Sequence, residues 1–461
     1  MRRTHKGGDV ARQTWEQQVG EVFDLRPRNR YAHKLWLQRP EEGDLHSALL
    51  HPVRHVCVDG PSGSGKTSLA LTARARAGLR FKYVRLAKST TWKGFCKKLV
   101  TKRRRARPKL TVGAKGGLLA GLPAFEGEVK LELEPEEGRT ASQIAAEWTV
   151  ADACEAILDQ QVSLIIDDVE RASKTLVSAL ADLAKEMLTE SLADQTKLIF
   201  VGTDDVYDRL IRANSSLETR MRVISLGAFP SSWQNNASWT YLVRGFEKLS
   251  KTHYPGSKAL WASRARAASP ESKADFEKER DACIQAVFHA ADGLPKSLTE
   301  LGYEVVAGTE EGAVTIGASS VLEEARKMLQ ANVDRLRAEY PRLQGQLKTD
   351  TYARKVFAQL LLTGTGRIHS ENRTVTDLAG LIPESEVREA ISKLIDLGIL
   401  VRTGEDRDHL FFSDLEMAHT LSVLSVNRSL CERLGINPRI FEPVGQLMLE
   451  LGWDERSPFP L

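Results

Sequence analysis

His55-Val56-Cys57-Val58-Asp59-Gly60-Pro61-Ser62-Gly63-Ser64-Gly65-Lys66-Thr67 is the stretch that decides the fold. It opens as a β-prone run and stops at glycines, and the segment from Lys66 to Gly78 is rich in Ala and Leu and free of Pro. This pattern predicts strand, loop, helix. Gly60 to Thr67 satisfies G-x-x-x-x-G-K-[ST] at every position and sits where that motif belongs, between a strand and a helix. Glycines let successive backbone N–H groups turn inward on phosphates, and the start of the helix adds partial positive charge. Gly60, Pro61, Ser62, Gly63, Ser64, Gly65, Lys66, Thr67 and Ser68 are the candidate phosphate-binding residues. Lys66 offers a point charge to β- and γ-phosphates and Thr67 a hydroxyl to Mg²⁺, so ATP and Mg²⁺ are the expected cofactors.

Such a loop needs a carboxylate at the end of a neighbouring buried strand. Leu164-Ile165-Ile166-Asp167-Asp168 supplies one, with Asp167 the candidate for the metal shell and Asp168, or Glu170 beyond it, the candidate that orients an attacking water.

Outward from this pair, Phe81 to Leu86, Val162 to Ile166 and Lys197 to Val201 read as further strands. Thr90 to Lys102 and Ala141 to Gln161 read as helices, and the alternation implies an α/β domain with buried parallel strands. Between them lies an insert, about residues 97–138. It holds eight Lys or Arg over 97–109 and then the alternating Glu128-Val129-Lys130-Leu131-Glu132-Leu133-Glu134, which reads as one arm of a hairpin. Residues 1–50 form an N-terminal arm ending in a helix over Asp44 to Leu50. The α/β domain spans 51–230 and a charged helical lid 231–345. In 346–425, helices over Tyr352–Leu362, Val375–Leu381 and Glu384–Leu397 precede two strands, Gly398–Thr403 and His409–Ser413, the layout of a winged helix. Residues 426–461 are left as a tail.

The whole is 461 residues, enough for about three domains and a core that needs no disulfide or structural metal. With 42% hydrophobic and 27% charged residues it is neither disordered nor fibrous. Its net charge of +4 names no partner by itself. Five scattered cysteines, Cys57, Cys96, Cys154, Cys283 and Cys431, without a C-x-x-C pair, read as free thiols in a reducing compartment. No apolar run is long enough to span a bilayer and the basic start is followed by polar residues, so the expectation is a cytoplasmic protein without a membrane partner.

In these motifs the chain resembles the AAA+ and STAND groups of P-loop ATPases, above all those of origin-recognition type, over roughly residues 20–420. The resemblance implies an α/β P-loop core, an α-helical lid and a C-terminal winged helix. It also implies roles for further residues. Lys197 to Thr203 is similar to the strand that ends in a γ-phosphate sensor, here Thr203, with Asp204 second; capping of the next helix is the other role open to Thr203. Leu217-Glu218-Thr219-Arg220 before the strand Val223–Leu226 is similar to the segment that offers an arginine finger to a neighbouring subunit, with Arg222 in reserve; an ordinary surface ion pair is the alternative for Arg220. Gly293-Leu294-Pro295-Lys296 looks like the lid motif whose basic residue senses nucleotide, although the family usually has Arg there and Lys lacks its planar fork. The group commonly carries Glu where Asp168 stands, which implies slow hydrolysis and a switch rather than a motor.

Two outputs follow. In the first, nucleotide state controls self-assembly and engagement of double-stranded DNA or of a separate effector protein, because no effector motif is recognisable in the chain. Relatives by resemblance include signal-transduction ATPases, some of which serve phage defence. In the second, Thr203 to Leu249 resembles ATPases that regulate transposition through ATP-dependent filaments on DNA. A P-loop kinase is disfavoured, since the helical and winged-helix regions offer no small-molecule acceptor site. For DNA, the basic run over 97–109 is one candidate contact and the wing residues Arg402 and Arg407 another. The third winged-helix helix is not: Glu384, Glu386, Glu389 and Asp396 outnumber Arg388 and Lys393.

Overall fold

The computed structural model describes residues 15–24, 37, 39–51, 54–100, 141–189, 196–203, 205–229, 237–253, 293–307, 318–347, 350–363, 369–380, 382–403 and 408–414, with parts of 283–291 and 417–421. The basic residues 102–109, the alternating segment 128–134, Asp204, Arg407, Cys431 and the tail lie outside the described residues.

Five strands build the first sheet: β1 His55–Asp59, β2 Phe81–Arg85, β3 Ser163–Asp167, β4 Leu198–Val201 and β5 Met221–Ser225. All pairings are parallel and the order is β2-β3-β4-β1-β5, so β4 separates the glycine-loop strand β1 from the acidic strand β3. The three central strands are buried along their whole length, as a sheet covered on both faces requires. Alternate residues serve opposite faces. Cys57, Leu164, Ile166 and Phe200 pack with the helices α6 Val150–Asp159 and α7 Lys174–Thr189. Val56, Val58, Ile165, Ile199 and Val201 pack against α2 Pro40–Leu50 and α3 Lys66–Ala77. Each fully buried aliphatic side chain contributes about 1.5–3 kcal/mol to this core.

The long helix expected over Ala141–Gln161 is broken into α5 Ala141–Ala145 and α6. Thr149 stops the chain between them, because its hydroxyl accepts from the Asp152 N–H while Asp152 accepts from the Thr149 N–H, a capping box. The helix expected over Thr90–Lys102 starts behind the Thr91 cap and covers Trp92–Leu99 as α4. The arm helix begins at Pro40, four residues before its expected start, with Pro in the first turn. Another helix, α1 Trp15–Val22, went unread in the sequence. Strand β5 starts two residues earlier than the expected Val223.

After β5 come helices Ala237–His253, Pro295–Ala307 and the 30-residue Ala318–Leu347. They share a core with α1: Phe23 inserts where Gly245 and Gly302 have no side chain, and a Cβ on either would lie 2.3 or 2.2 Å from its ring. The C-terminal unit consists of helices Thr351–Thr363, Glu371–Leu378 and Glu384–Asp396 around a second core, with strands β7 Leu400–Thr403 and β8 His409–Phe412. A third short strand, β6 His369–Ser370, pairs with β8 and makes the sheet three-stranded, where the sequence suggested a plain hairpin. The middle helix ends at Leu378, three residues short of the expected Leu381. The four described cysteines, Cys57, Cys96, Cys154 and Cys283, are buried free thiols. No helix among the described residues is long and apolar enough to cross a membrane.

Candidate functional site

Every β1–β5 strand runs parallel, so their carboxyl ends share one rim, the usual ligand side of an open α/β sheet. The rim holds a cavity of about 320 Å³. Ser62 to Ser68, Asp167, Asp168, Glu170, Thr203 and Lys296 all line it.

The loop that leaves β1 is forced by glycine. Gly60 has φ +136°, and a Cβ there would stand 2.2 Å from the Leu226 carbonyl oxygen; Gly63 has φ +82°, and a Cβ there would stand 3.0 Å from the Lys296 side chain. The loop then runs into α3, whose first N–H groups face the cavity rim. The Lys66 ammonium, mostly buried, donates to the carbonyls of Gly60 and Pro61, each at 2.7 Å. Thr67 donates its hydroxyl to both oxygens of Asp167, at 3.1 and 3.0 Å, and Tyr83 donates to Asp167 Oδ2 at 2.6 Å. Burial raises the Asp167 pKa while the hydroxyls of Tyr83 and Thr67 oppose the rise. Tyr83 is itself pushed upward by burial and by that carboxylate.

The two candidate water-orienting acids differ sharply. Asp168 has a left-handed backbone, φ +57°, which ends β3 and opens a short 3₁₀ turn over Val169–Arg171. Its carboxylate is held by Arg85 at 2.6 Å and approached by Arg171 at 3.7 Å. Glu170 instead reaches the end of β4, where its Oε2 accepts the Thr203 N–H at 3.2 Å. Gly202 makes this approach possible, for a Cβ there would lie 2.6 Å from Glu170 Oε2. Thr203 lines the cavity. The following helix, α8 Val206–Ala213, begins with Asp205 at its cap position and takes no side-chain cap from Thr203.

Lys296 meets the loop through its backbone: its N–H donates to Gly63 O at 3.2 Å, and Pro295 packs over Gly65. The half-exposed ammonium pairs with Glu300 at 3.7 Å. Arg220 is not brought to this cavity. It is exposed and precedes β5, and its carbonyl accepts from His55 N–H at the amino end of the sheet. A five-residue strand separates that end from the rim, a distance of roughly 16 Å. No ion pair with a described residue accounts for it, and Arg222, also exposed, lies one step along β5.

Sequence reasoning missed the cavity wall contributed by the arm. Asp24, Leu37 and Arg39 line it, facing Phe229, Tyr241 and Thr299 from the lid side. Only the Pro40-Glu41-Glu42 helix-start signature pointed to Arg39, as the residue just before a helix. Arg85 was missed because nothing local marks a cation that pairs across strands, and Arg171 because its pairing with Asp168, three residues back, depends on the 3₁₀ turn between them.

The residues fit a nucleoside triphosphate with Mg²⁺. Positive-φ glycines bend the loop whose residues line the cavity, and the Thr67 and Asp167 oxygens form a hard pair for Mg²⁺. Among the described residues no group of three His, Cys, Asp or Glu side chains could enclose an ion alone. A metal at Thr67 therefore requires phosphate and water oxygens as well, as Mg²⁺ prefers.

Residues 51–210 match the family model described as an AAA domain. Among curated proteins no match is found. Similar solved structures include a Walker-type ATPase of Pyrococcus abyssi, at 15% identity over 87% of this chain and 99% of that one with a TM-score of 0.44. The Thermotoga maritima RuvB Holliday junction branch migration motor is similar at 14% identity over 90% and 99%, with a TM-score of 0.35. Cdc6p from Pyrobaculum aerophilum is similar at 13% identity over 94% and 98%, with a TM-score of 0.33. At these scores the AAA-domain match and the site geometry carry the reading. The α/β region matches an AAA-type P-loop core, a similarity that supports nucleotide binding and ATPase-type activity.

Proposed function

We propose that this AAA-type P-loop core binds ATP with Mg²⁺ and works as a slowly hydrolysing switch whose nucleotide state controls self-assembly and the engagement of a separate partner. The observation that carries the reading is the meeting of Thr67 with Asp167 beneath the glycine loop, 100 residues apart in sequence. In this reading Gly60 to Ser68 cradle the phosphates with backbone N–H groups, and the Lys66 ammonium moves from the Gly60 and Pro61 carbonyls toward phosphate oxygen. Thr67 and Asp167 are the residues that would hold Mg²⁺, which when bound would supply positive charge opposing the negative charge of the phosphates.

Thr203 and Glu170, joined by a hydrogen bond, form the polar pair nearest to where a terminal phosphate and an attacking water would stand. Asp168, drawn to Arg85 and Arg171, is less free to act on water, which fits slow turnover. Lys296 reports through its backbone bond to Gly63, tying the lid to the loop. Arg220, on the far end of the sheet, serves only as a finger given to a second copy.

We read the C-terminal unit as a winged helix that binds a protein rather than DNA. Three of its described cations are already paired: Arg388 with Glu384 and Glu371, Lys393 with Asp350, and Arg402 with Glu371. Arg402 therefore leaves the set of DNA contacts suggested by the sequence, and the basic run near 97–109 and Arg407, outside the described residues, remain in it. Lys66→Ala tests the central claim. It is expected to abolish binding of a fluorescent ATP analogue while the protein stays folded by circular dichroism; unchanged affinity would reject the assignment. Imaging with a slowly hydrolysed analogue, with and without duplex DNA, then separates a protein-coupled assembly from a DNA filament.

A further inference from the structure

Arg39 stands just before α2 within the N-terminal arm and is 7% exposed. Its Nη1 donates to Ser64 O in the phosphate loop at 2.8 Å. Its Nη2 donates to Gly227 O at 2.7 Å and Ala228 O at 3.1 Å, on the segment that leaves β5 for the lid. The guanidinium also lies over the Phe229 ring, 4.9 Å from its centroid. The carboxylate paired with it, Glu41, stands off at 3.7 Å from Nε. Burial accordingly lowers the arginine's pKa, opposed by Glu41.

A buried charge satisfied mainly by backbone carbonyls is costly to place and gains nothing specific unless it fixes the pieces that supply them. Here the pieces are the arm, the phosphate loop and the root of the lid. The contacts continue around the cavity. Phe229 N–H donates to Gly293 O at 2.9 Å, and Gly293 leads into Pro295 and Lys296, whose N–H returns to Gly63 beside Ser64. Arg39 and Lys296 thus hold neighbouring carbonyls of one short loop from two sides. Any ligand that shifts the loop carbonyls acts on both. Only a planar fork with several fixed donors can bond two chain segments and stack on a ring at once; a lysine offers a single point charge.

We propose that Arg39 is a positioning residue that couples the phosphate loop to the lid root and the N-terminal arm, so that ligand binding at the loop is transmitted to both. This inference rests on the nucleotide-site reading above, and the experiment keeps the two apart.

The measurement is amide hydrogen exchange on the full chain with and without a non-hydrolysable ATP analogue and Mg²⁺. In the wild type the analogue is expected to slow exchange over 60–67, over the lid helix 237–253 and over the arm segment 15–24. With each protein brought to saturation by the analogue, so that any loss of affinity is compensated, Arg39→Met is slowed over 60–67 while its slowing over 237–253 and 15–24 falls at least threefold; Arg39→Lys lies between. Equal slowing in all three segments in both variants overturns the proposal, as does a wild type protected over 60–67 alone. No protection over 60–67 in the wild type refutes the nucleotide-site reading itself. If Arg39→Met does not fold, Arg39→Lys decides alone by the same comparison.

Discussion

Gly60 shows how much a single residue is asked to do at this rim. Its φ of +136° is a region that side-chain-bearing residues avoid, and the space its Cβ would need is filled by the Leu226 carbonyl. Gly60→Ala is expected to cost at least about 1–3 kcal/mol in chemical denaturation and to weaken nucleotide binding by moving the carbonyl that Lys66 holds. His55, at the other end of the same strand, is a titration case. It is fully buried, its Nδ1 accepts the Leu198 N–H and its Nε2 faces Ala184 O, so the neutral ring fits and burial pushes its pKa down to about 3. The unfolded chain takes up this proton near pH 6.5 and the folded chain only near pH 3, so stability rises with pH across that window. Urea titrations between those limits should show up to roughly 1.4 kcal/mol lost per pH unit on acidification from this group. In His55→Gln that part of the slope should vanish.

The elements show why some boundaries were legible and others were not. Strand β1, the loop and α3 were read to within a residue because all their determinants are contiguous: a β-prone run, glycines, then an Ala-rich segment ending at Gly78, whose φ of +67° closes the helix. The break between α5 and α6 was hidden because Trp148 and Val150 continue the apolar pattern, while the deciding feature is the pair Thr149 and Asp152. Thr149→Ala should remove the hydroxyl acceptor and cost about 1 kcal/mol of stability, read by thermal unfolding with nucleotide affinity unchanged. Strand β6 is two residues long and pairs with β8 some 40 positions onward, so no local periodicity could announce it. The same physics hid Arg39. Its acceptors lie 25, 188 and 189 residues away, and only the folded sheet brings them together.

At the scale of the molecule, the described residues form four apolar clusters. Two flank the first sheet, one joins the lid to α1, and one fills the C-terminal unit, with Ala228 and Leu294 from the lid root reaching into it. The lid root is thus shared by the cavity and the C-terminal unit, a physical route by which the first can influence the second. Arg335 of the long lid helix adds an ion pair to Asp414 just beyond β8. Assembly belongs to this scale too. If ATP drives the proposed assembly, Arg220→Ala is expected to leave nucleotide affinity of the dilute protein unchanged within about twofold and to abolish the ATP-dependent increase in size that light scattering would then record for the wild type. A wild type that stays monomeric at saturating ATP would remove the finger role from Arg220.

In the proposed reading the two ends of the first sheet carry different halves of the active centre, the cavity at the carboxyl rim and Arg220 at the amino rim. A protomer of this kind is polar in the sense of a magnet, and copies that use both ends stack head to tail. An open stack always ends with one cavity lacking its finger and one finger lacking its cavity, whereas a closed ring wastes neither. Turnover per subunit would then climb gradually with concentration for a growing stack and jump to a plateau for a ring, so enzyme kinetics alone can report the symmetry of the assembly.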